Sequence, residues 1–236
     1  MDNMIDRNEI AMRKQALRKR MSVWRESLNE QDVKKQSVSM SKLLLRLVKI
    51  NHAHFATDQN EGRPCIGLYN AFRHEADFSS IWRELQLAGW DVSFPLMLKS
   101  GRRGPEAERK IIFIEAPAIS SDNDRSLRSW FVNGHFGVLE PPEDLDSAVE
   151  PDLIVLPGLA FDRQGGRLGW GKAYYDSYLA ARSTEQDLKY PLTLGAALEG
   201  QLIDLVPCAD HDIAVDGIIT PSEIVITGSI FVELLN

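Results

Sequence analysis

The chain contains little cysteine and no long apolar run. Its two cysteines, Cys65 and Cys208, stand far apart in the 236 residues and lack the CxxC spacing of metal and redox motifs. This excludes a disulfide framework and favours a reducing compartment. No stretch approaches the roughly 18 apolar residues of a membrane span, and the opening MDNMIDRNEI lacks the apolar core of a signal peptide. We therefore predict a cytoplasmic protein with no membrane partner.

Positive charge is also scarce. The chain has 27 Lys and Arg against 34 Asp and Glu, a net charge of -7, and a pI near 5.3. Nucleic acids are usually bound by basic surfaces, so we predict no nucleic-acid partner. Any basic site must be local. With 44% hydrophobic and 26% charged residues, the chain can bury a core without metals or disulfides.

Two common catalytic patterns are missing as well. Among the five histidines, His52 and His54 form the only close pair, and no further residues continue a metal-ligand spacing. The serines do not form a G-x-S-x-G elbow, so an acyl-enzyme mechanism has no support.

The order of hydrophobic patterns predicts an α/β fold. Apolar residues recur at helical spacing over 6–28 and 31–50, and the first stretch carries Met12, Ala16, Met21, Trp24 and Leu28. Beyond the polar segment 57–63, strands and helices alternate. Strands are expected at 65–69, 92–98, 111–116, 152–158 and 192–198, with helices at 78–88, between Asp77 and Gly89, and at 172–182.

Buried strands such as LIVL are typical of parallel sheets that are covered on both faces. We predict one α/β domain over residues 1–236, with a mostly parallel sheet, helices on both faces, and an N-terminal helical segment of about 6–50 packed on it. Sheets of this kind bind ligands beyond the carboxyl ends of their strands.

The segment GGRLGWGKAYYD, residues 165–176, gathers four glycines, two cations, two tyrosines and a carboxylate where a loop enters a helix. Glycines let backbone N–H groups turn toward a ligand, and a helix N-terminus adds positive potential. The pattern predicts a polyphosphate site. Arg167 and Lys172 would supply charge, and Asp176 could hold a divalent cation.

A P-loop does not fit this segment. Gly166, Gly171 and Lys172 satisfy GxxxxGK, but Ala173 stands where a P-loop has the Ser or Thr that binds magnesium. The alternative to a phosphate site is a glycine-rich turn leading into a surface helix.

The longer segment PGLAFDRQGGRLGWGKAYYDSYL, residues 157–179, resembles the signature of 5-formyltetrahydrofolate cyclo-ligases, PGLAFD followed by G-x-RLG-x-GKGYYD. The resemblance implies a magnesium ligand at Asp176 and an ATP site formed by Arg167, Leu168, Gly169, Trp170, Gly171, Lys172, Ala173, Tyr174 and Tyr175. Ala173 replaces the usual glycine, and Trp170 fills a variable position.

A basic face precedes this motif. At 100° per residue, Lys14 and Arg18 lie about 40° apart on a helix and Arg25 falls between them. Such faces are often only solvated. KQALR, residues 14–18, resembles the family's K-x-x-LR element, which implies that Lys14 and Arg18 contribute to ATP binding. Arg25 is less well matched.

Three thinner matches accompany these. Tyr69 and Glu75 resemble a Y-x-P-x-x-x-E element, with Ala71 in place of proline, which implies that Glu75 binds the pterin edge of a folate. Asp212 and Asp216 match D-x-x-VD, in which the first aspartate can join magnesium binding and the second reads as structural. FGVLEPP, residues 136–142, resembles a GI-x-EP turn.

The resemblance implies an ATP- and Mg²⁺-dependent enzyme that closes 5-formyltetrahydrofolate, a reduced folate, to 5,10-methenyltetrahydrofolate with release of ADP and phosphate. Lys172 and Arg167 would be the catalytic cations, Trp170 and Tyr174 would lie near the folate, and we expect a monomer. Two alternatives stay open: a repurposed, non-catalytic paralogue, suggested by Ala173, and an ATP-dependent small-molecule kinase.

Overall fold

A computed structural model of the chain describes residues 2–56, 62–98, 111–118, 129–134, 137–184 and 191–228. Its helices are α1 Asp2–Glu26, α2 Glu30–Ile50, α3 His52–Phe55, α4 Trp82–Leu87 and α5 Tyr174–Thr184. The strands are β1 Cys65–Gly67, β2 Asp91–Met97, β3 Ile111–Glu115, β4 Val132–Asn133, β5 Leu139–Glu140, β6 Ala148–Val149, β7 Leu153–Leu156, β8 Ala160–Asp162, β9 Arg167–Leu168, β10 Leu192–Ala196, β11 Leu202–Ile203, β12 Gly217–Ile219 and β13 Ile224–Ile226. Within these ranges, no helix is long and apolar enough to cross a membrane.

The main sheet has eight strands in the order β13-β12-β10-β7-β1-β2-β3-β6. Its five central strands, β12, β10, β7, β1 and β2, run parallel. Antiparallel strands complete both edges, β13 at one and β3 with β6 at the other. The predicted α/β class with a mostly parallel sheet is confirmed.

Alternate side chains of the central strand β7 enter two different cores. Leu153 and Val155 join the core beneath α2, α3 and α4, whereas Ile154 and Leu156 join the core beneath α5. Because successive side chains of a strand point to opposite faces, the LIVL run is buried throughout. Helices therefore cover both faces, and α2, the second predicted N-terminal helix, packs on the sheet directly.

Helix α1 turns only part of its predicted apolar face inward. Met12 is 64% exposed and Ala16 is also exposed. Met21, from the same predicted face, is buried and packs together with Leu17 on the small sheet of β11, β8 and β9. The prediction for Met12 and Ala16 was wrong because the inward face of α1 includes charged residues, which a search for apolar periodicity passes over.

The predicted helix over 78–88 is shorter than expected. It begins with a 3-10 turn, Ser79–Ile81, and continues as α4. Asp77 accepts a hydrogen bond from the backbone N–H of Ser79 at 2.8 Å, as a residue at a helix start does. The chain leaves the helix at Gly89, where φ is +87°.

The turn between β8 and β9 is organised by the buried carboxylate of Asp162. Its Oδ1 accepts the backbone N–H groups of Gln164 and Gly166, both at 2.9 Å, and its Oδ2 accepts that of Val206 at 2.8 Å. A Cβ at Gly166 would lie 2.4 Å from Oδ2, so glycine is required there. This carboxylate sets the path of the glycine-rich segment that follows.

Asp162→Ala should lower the free energy of unfolding by about 3–5 kcal/mol, since each buried donor left unsatisfied costs roughly 1–3 kcal/mol. Denaturant unfolding would measure the loss. The control is Asp204→Ala, because Asp204 is exposed and lies two residues before Val206. This substitution should change stability by no more than about 0.5 kcal/mol. Equal effects of the two substitutions would contradict the role given to Asp162.

Candidate functional site

A cleft of about 1070 Å³ opens where the parallel strands β1, β2 and β7 end. The chain following β1 and β7 contributes to its wall, and β2 contributes its last residues, as expected for sheets of this topology. All the site residues predicted from the sequence line it, namely Lys14, Arg18, Glu75, Arg167, Leu168, Gly169, Trp170, Gly171, Lys172, Ala173, Tyr174, Tyr175, Asp176 and Asp212. The structure brings them together, while their individual roles stay predictions.

The charge of the cleft differs from that of the whole chain. Six Lys and Arg and five Asp and Glu line it, whereas the chain has 27 against 34. The added cations are Arg7 and Arg73, and the added acids are Glu140 and Asp210. Cations are therefore concentrated at this cleft although the protein as a whole is acidic. This agrees with the expectation that any basic site would be local.

Arg167 and Asp176 contact each other across the glycine segment. Nη2 of Arg167 donates to Oδ1 of Asp176 at 2.9 Å, and Nη1 donates to the carbonyl of Pro157 at 3.3 Å. The Arg167 side chain is only 4% exposed, and its guanidinium lies 5.7 Å from the ring centre of Tyr175. Burial raises the pKa of Tyr175, so this ring stays neutral. Arg167 thus forms part of the wall of the cleft and is almost wholly buried there.

Arg18 joins α1 to the glycine segment. Its Nε donates to the carbonyl of Gly169 at 2.9 Å, and a Cβ at Gly171 would lie 3.2 Å from its guanidinium carbon. Arg18 contacts no carboxylate within the described parts of the chain, which leaves its charge available to an anion in the cleft. Leu168, by contrast, buries its side chain against Leu17 and offers the cleft mainly backbone.

Lys14 forms an ion pair with Asp212 at the same end of the cleft. The backbone N–H of Ala209 also donates to Asp212, at 2.5 Å. Partial burial opposes ionisation of this carboxyl, but the hydrogen bonds from Ala209 and Lys14 prevail and lower its pKa. Asp212 is therefore ionised, and its carboxylate is already paired with the ammonium group of Lys14.

Glu75 lies in a buried cluster that the sequence did not reveal. Its Oε1 is 3.4 Å from Nη1 of Arg25 and accepts the indole N–H of Trp170 at 3.3 Å, while its Oε2 accepts the backbone N–H of Phe72 at 3.0 Å. The Arg25 side chain is 1% exposed. The sequence placed Arg25 on the same helix face as Lys14 and Arg18 and marked Glu75 through its spacing from Tyr69, but nothing in it indicated that Arg25 and Glu75 contact each other.

Two further predictions concern residues outside this cluster. Asp216 accepts the backbone N–H of Thr193 at 2.9 Å and its hydroxyl at 2.7 Å, which ties β10 to the chain before β12 and agrees with the structural interpretation. Phe136, at the start of the FGVLEPP element, lies outside the described residues, and Glu140 of that element accepts the backbone N–H of Met97 at 3.3 Å.

The prediction for Ala173 was wrong. Helix α5 begins at Tyr174, so Lys172 and Ala173 precede it and belong to the loop. Ala173 has φ of +54°, in the left-handed region that favours glycine. The helix predicted over 172–182 would have placed Ala173 in its first turn, where alanine is favourable; in the loop, alanine is less favourable than glycine.

The chain matches the model of the 5-formyltetrahydrofolate cyclo-ligase family over residues 10–221. Relatives include the mitochondrial 5-formyltetrahydrofolate cyclo-ligase of Arabidopsis thaliana, 42% identical over 35% of this chain and 32% of its own, and that of Mus musculus, 46% identical over 29% and 33%. The chain thus spans about a third of the length of these relatives. The NMR structure of Aquifex aeolicus 5,10-methenyltetrahydrofolate synthetase shares the fold, with a TM-score of 0.63, 24% identity, and coverage of 91% of this chain and 92% of its own.

Ala173→Gly should raise the free energy of unfolding by about 0.5–1 kcal/mol. A left-handed alanine costs roughly 1–2 kcal/mol, and the greater freedom of glycine in the unfolded chain takes back about 0.5–1 kcal/mol. Thermal unfolding should show a rise of about 1–4 °C. The matched control is Ala180→Gly, at an exposed position inside α5, which should lose about 1 kcal/mol. A loss at both positions would return Ala173 to the helix.

Proposed function

Because the chain belongs to the 5-formyltetrahydrofolate cyclo-ligase family, we propose that it closes 5-formyltetrahydrofolate to 5,10-methenyltetrahydrofolate and converts ATP to ADP and phosphate. One observation carries this proposal. A single cleft joins the glycine segment and its cations to the carboxylate of Glu75 and the indole of Trp170. It therefore offers one end suited to a polyphosphate and another suited to a flat ring with N–H donors.

The nucleotide end is formed by α1 and the glycine segment. Arg18 reaches the carbonyl of Gly169, and Lys172 follows Gly171 in the loop that enters α5. Backbone N–H groups of such a loop and two cations suit phosphate oxygens. Lys14 would contribute at the rim, where it pairs with Asp212.

The folate end is formed around Glu75. A carboxylate can accept N–H bonds from an aminopyrimidine edge, and the rings of Trp170 and Tyr174 can contact a flat pterin. Apolar residues Pro95, Met97, Ile111 and Leu139 complete the wall. Glu75 already accepts three protein donors, so Trp170, whose side chain is in the cleft and 41% exposed, is the donor that a ligand would replace.

The proposed chemistry needs no nucleophilic side chain. The formyl oxygen on N5 of the folate attacks the γ-phosphorus of ATP, and ADP leaves. N10 then attacks the activated formyl carbon and loses its proton to solvent, and the carbon–oxygen bond breaks as phosphate leaves and the ring closes. Lys172 and Arg167 would stabilise charge on the transferred phosphoryl group, and the cleft would hold the two substrates in line.

Magnesium is the proposed metal, and Asp176 is the residue that fits it best. Across the described ranges, no three His, Cys, Asp or Glu side chains form a cluster that could hold a metal ion. Magnesium in nucleotide sites typically takes one or two carboxylates together with the substrate's phosphates, where it neutralises charge. Oδ1 of Asp176 contacts Arg167, and its Oδ2 has no donor within the described residues; Asp212 is more fully engaged.

Other expectations remain predictions. We propose a cytoplasmic monomer that binds a reduced folate and no nucleic acid; the name of the Arabidopsis relative includes the word mitochondrial.

One assay distinguishes the cyclo-ligase from the two alternatives, the repurposed paralogue and the small-molecule kinase. Purified protein, 5-formyltetrahydrofolate, ATP and Mg²⁺ should produce the absorbance of methenyltetrahydrofolate and free phosphate. No product would favour the paralogue, and phosphate retained on product would favour the kinase.

Lys172→Ala should reduce kcat/KM at least about tenfold, because a charge-assisted phosphate contact contributes roughly 1.5–3 kcal/mol. The matched control is Lys19→Ala on the exposed face of α1, which should stay within about twofold of the unmodified protein. The same absorbance assay measures both. Near-normal turnover by a folded Lys172→Ala protein would remove this lysine from the site.

Asp176→Asn should raise the Mg²⁺ concentration that gives half-maximal activity by about tenfold, since a neutral amide is a weaker ligand for a hard cation. A magnesium titration at fixed ATP measures it, with Asp204→Asn as an exposed control. An unchanged titration, together with a lower melting temperature, would mean that Asp176 serves only to hold Arg167.

A further inference from the structure

We propose that Arg25 is a positioning residue for the folate end of the cleft, which holds both the Glu75 carboxylate and the Trp170 indole in the arrangement that receives the substrate. Arg25 does not itself line the cleft, but it contacts two residues that do, Glu75 and Trp170. The proposal rests on the proposed function, because it gives Arg25 a part in binding the same folate. It adds to that function a residue, Arg25, that influences folate binding by positioning Glu75 and Trp170.

The three side chains form a closed set of mutual contacts. Nη1 of Arg25 is 3.4 Å from Oε1 of Glu75, its guanidinium carbon is 4.6 Å from the ring centre of Trp170, and the Trp170 indole N–H donates to the same Oε1 at 3.3 Å. Each residue therefore constrains the other two. The third anchor of Arg25 is the carbonyl of Gly158, which accepts from Nη1 at 3.3 Å.

The contacts of Arg25 join three separate parts of the chain. Arg25 comes from α1, Glu75 from the segment after β1, and Trp170 from the glycine segment. His74, next to Glu75, also contacts the backbone carbonyl of Arg25 through Nδ1 at 3.0 Å. A cation stacked beneath an indole holds that ring more firmly than solvent would. Arg25 is thus placed to fix the relative position of the two groups proposed to bind the folate.

The cluster is poorly designed for stability alone. Nη2 of Arg25 is buried and has no hydrogen-bond partner within the described residues. Burial lowers the pKa of Arg25 and raises that of Glu75, and their mutual attraction opposes both shifts. Native proteins rarely bury such groups incompletely satisfied, and apolar residues often fill such space at least as well. An ionised, correctly oriented Glu75 supplies the reason for keeping them.

Charge on Glu75 matters because the ionised carboxyl is an acceptor only, whereas protonation turns one of its oxygens into an O–H donor that opposes an N–H group. The titratable and charged groups that interact with it are Arg25 from α1, Tyr69 from the segment after β1 and Tyr175 from α5, whereas Arg73 interacts with Arg25. Burial raises the pKa of Tyr69 and of Tyr175, so both stay neutral near pH 7. Replacing Arg25 by a neutral residue should therefore move protonation of Glu75 toward neutral pH, and folate affinity should fall as the pH is lowered.

The experiment measures calorimetric binding of 5-formyltetrahydrofolate and of an unreactive ATP analogue between about pH 6 and pH 8, alongside turnover. Arg25→Met should weaken folate binding at least about tenfold at pH 6, with a smaller loss at pH 8, and change nucleotide binding less than about threefold. Arg25→Lys keeps the charge and should keep a flat pH profile. Arg20→Met, on the exposed face of α1, is the control and should match the unmodified protein.

A double variant guards against a folding defect. If Arg25→Met does not fold, Arg25→Met with Glu75→Gln removes both buried charges, and its folate binding should be weak but independent of pH. The proposal is overturned if folded Arg25→Met binds folate like the unmodified protein, if both ligands weaken equally, or if its pH dependence survives in the double variant. Absence of turnover by the unmodified protein would instead count against the proposed function, since folate binding is measured separately.

Discussion

The position of the whole cleft depends on the three backbone N–H groups that donate to Asp162. Hydrogen bonds to an ionised acceptor are roughly twice as strong as neutral ones, and here they close a turn that flexible glycines would otherwise leave open. The carbonyl of Gly165, a residue with φ of +91°, accepts the backbone N–H of Val215 and so adds a further hydrogen bond to this turn. The positions of Arg167 and of the start of α5 depend on where this turn ends.

Cations inside an acidic chain form the second theme of the structure. Arg25 and Arg167 are both almost wholly buried, each beside one carboxylate, and each has one nitrogen without a hydrogen-bond partner among the described residues. Buried ion pairs contribute little net stability once desolvation is counted. Both pairs lie in or directly behind the cleft. These pairs therefore cost some stability and hold charged groups in fixed positions at the cleft.

Much of the fold could be predicted from the sequence because its central strands are short, mainly apolar runs; the wholly apolar LIVL of β7 is the clearest case. The glycine segment was equally legible, since its residues are consecutive. The inward face of α1 was not, because Lys14 and Arg25 are buried on it. The contact of Arg25 with Glu75 depends on how segments 50 residues apart come together, which no local pattern encodes. The backbone angle of Ala173 is likewise set by closure of the loop around it.

Helix α1 carries Lys14 and Arg18 toward one end of the cleft and Arg25 toward the other. Eleven residues separate Lys14 from Arg25, which at about 1.5 Å per residue is roughly 16 Å along a stiff rod. A slide of that rod along its axis moves both ends together. A ligand that shifts the helix at one end of the cleft would therefore change the affinity for a ligand at the other end. Thermodynamic linkage requires these two changes in affinity to be equal in size.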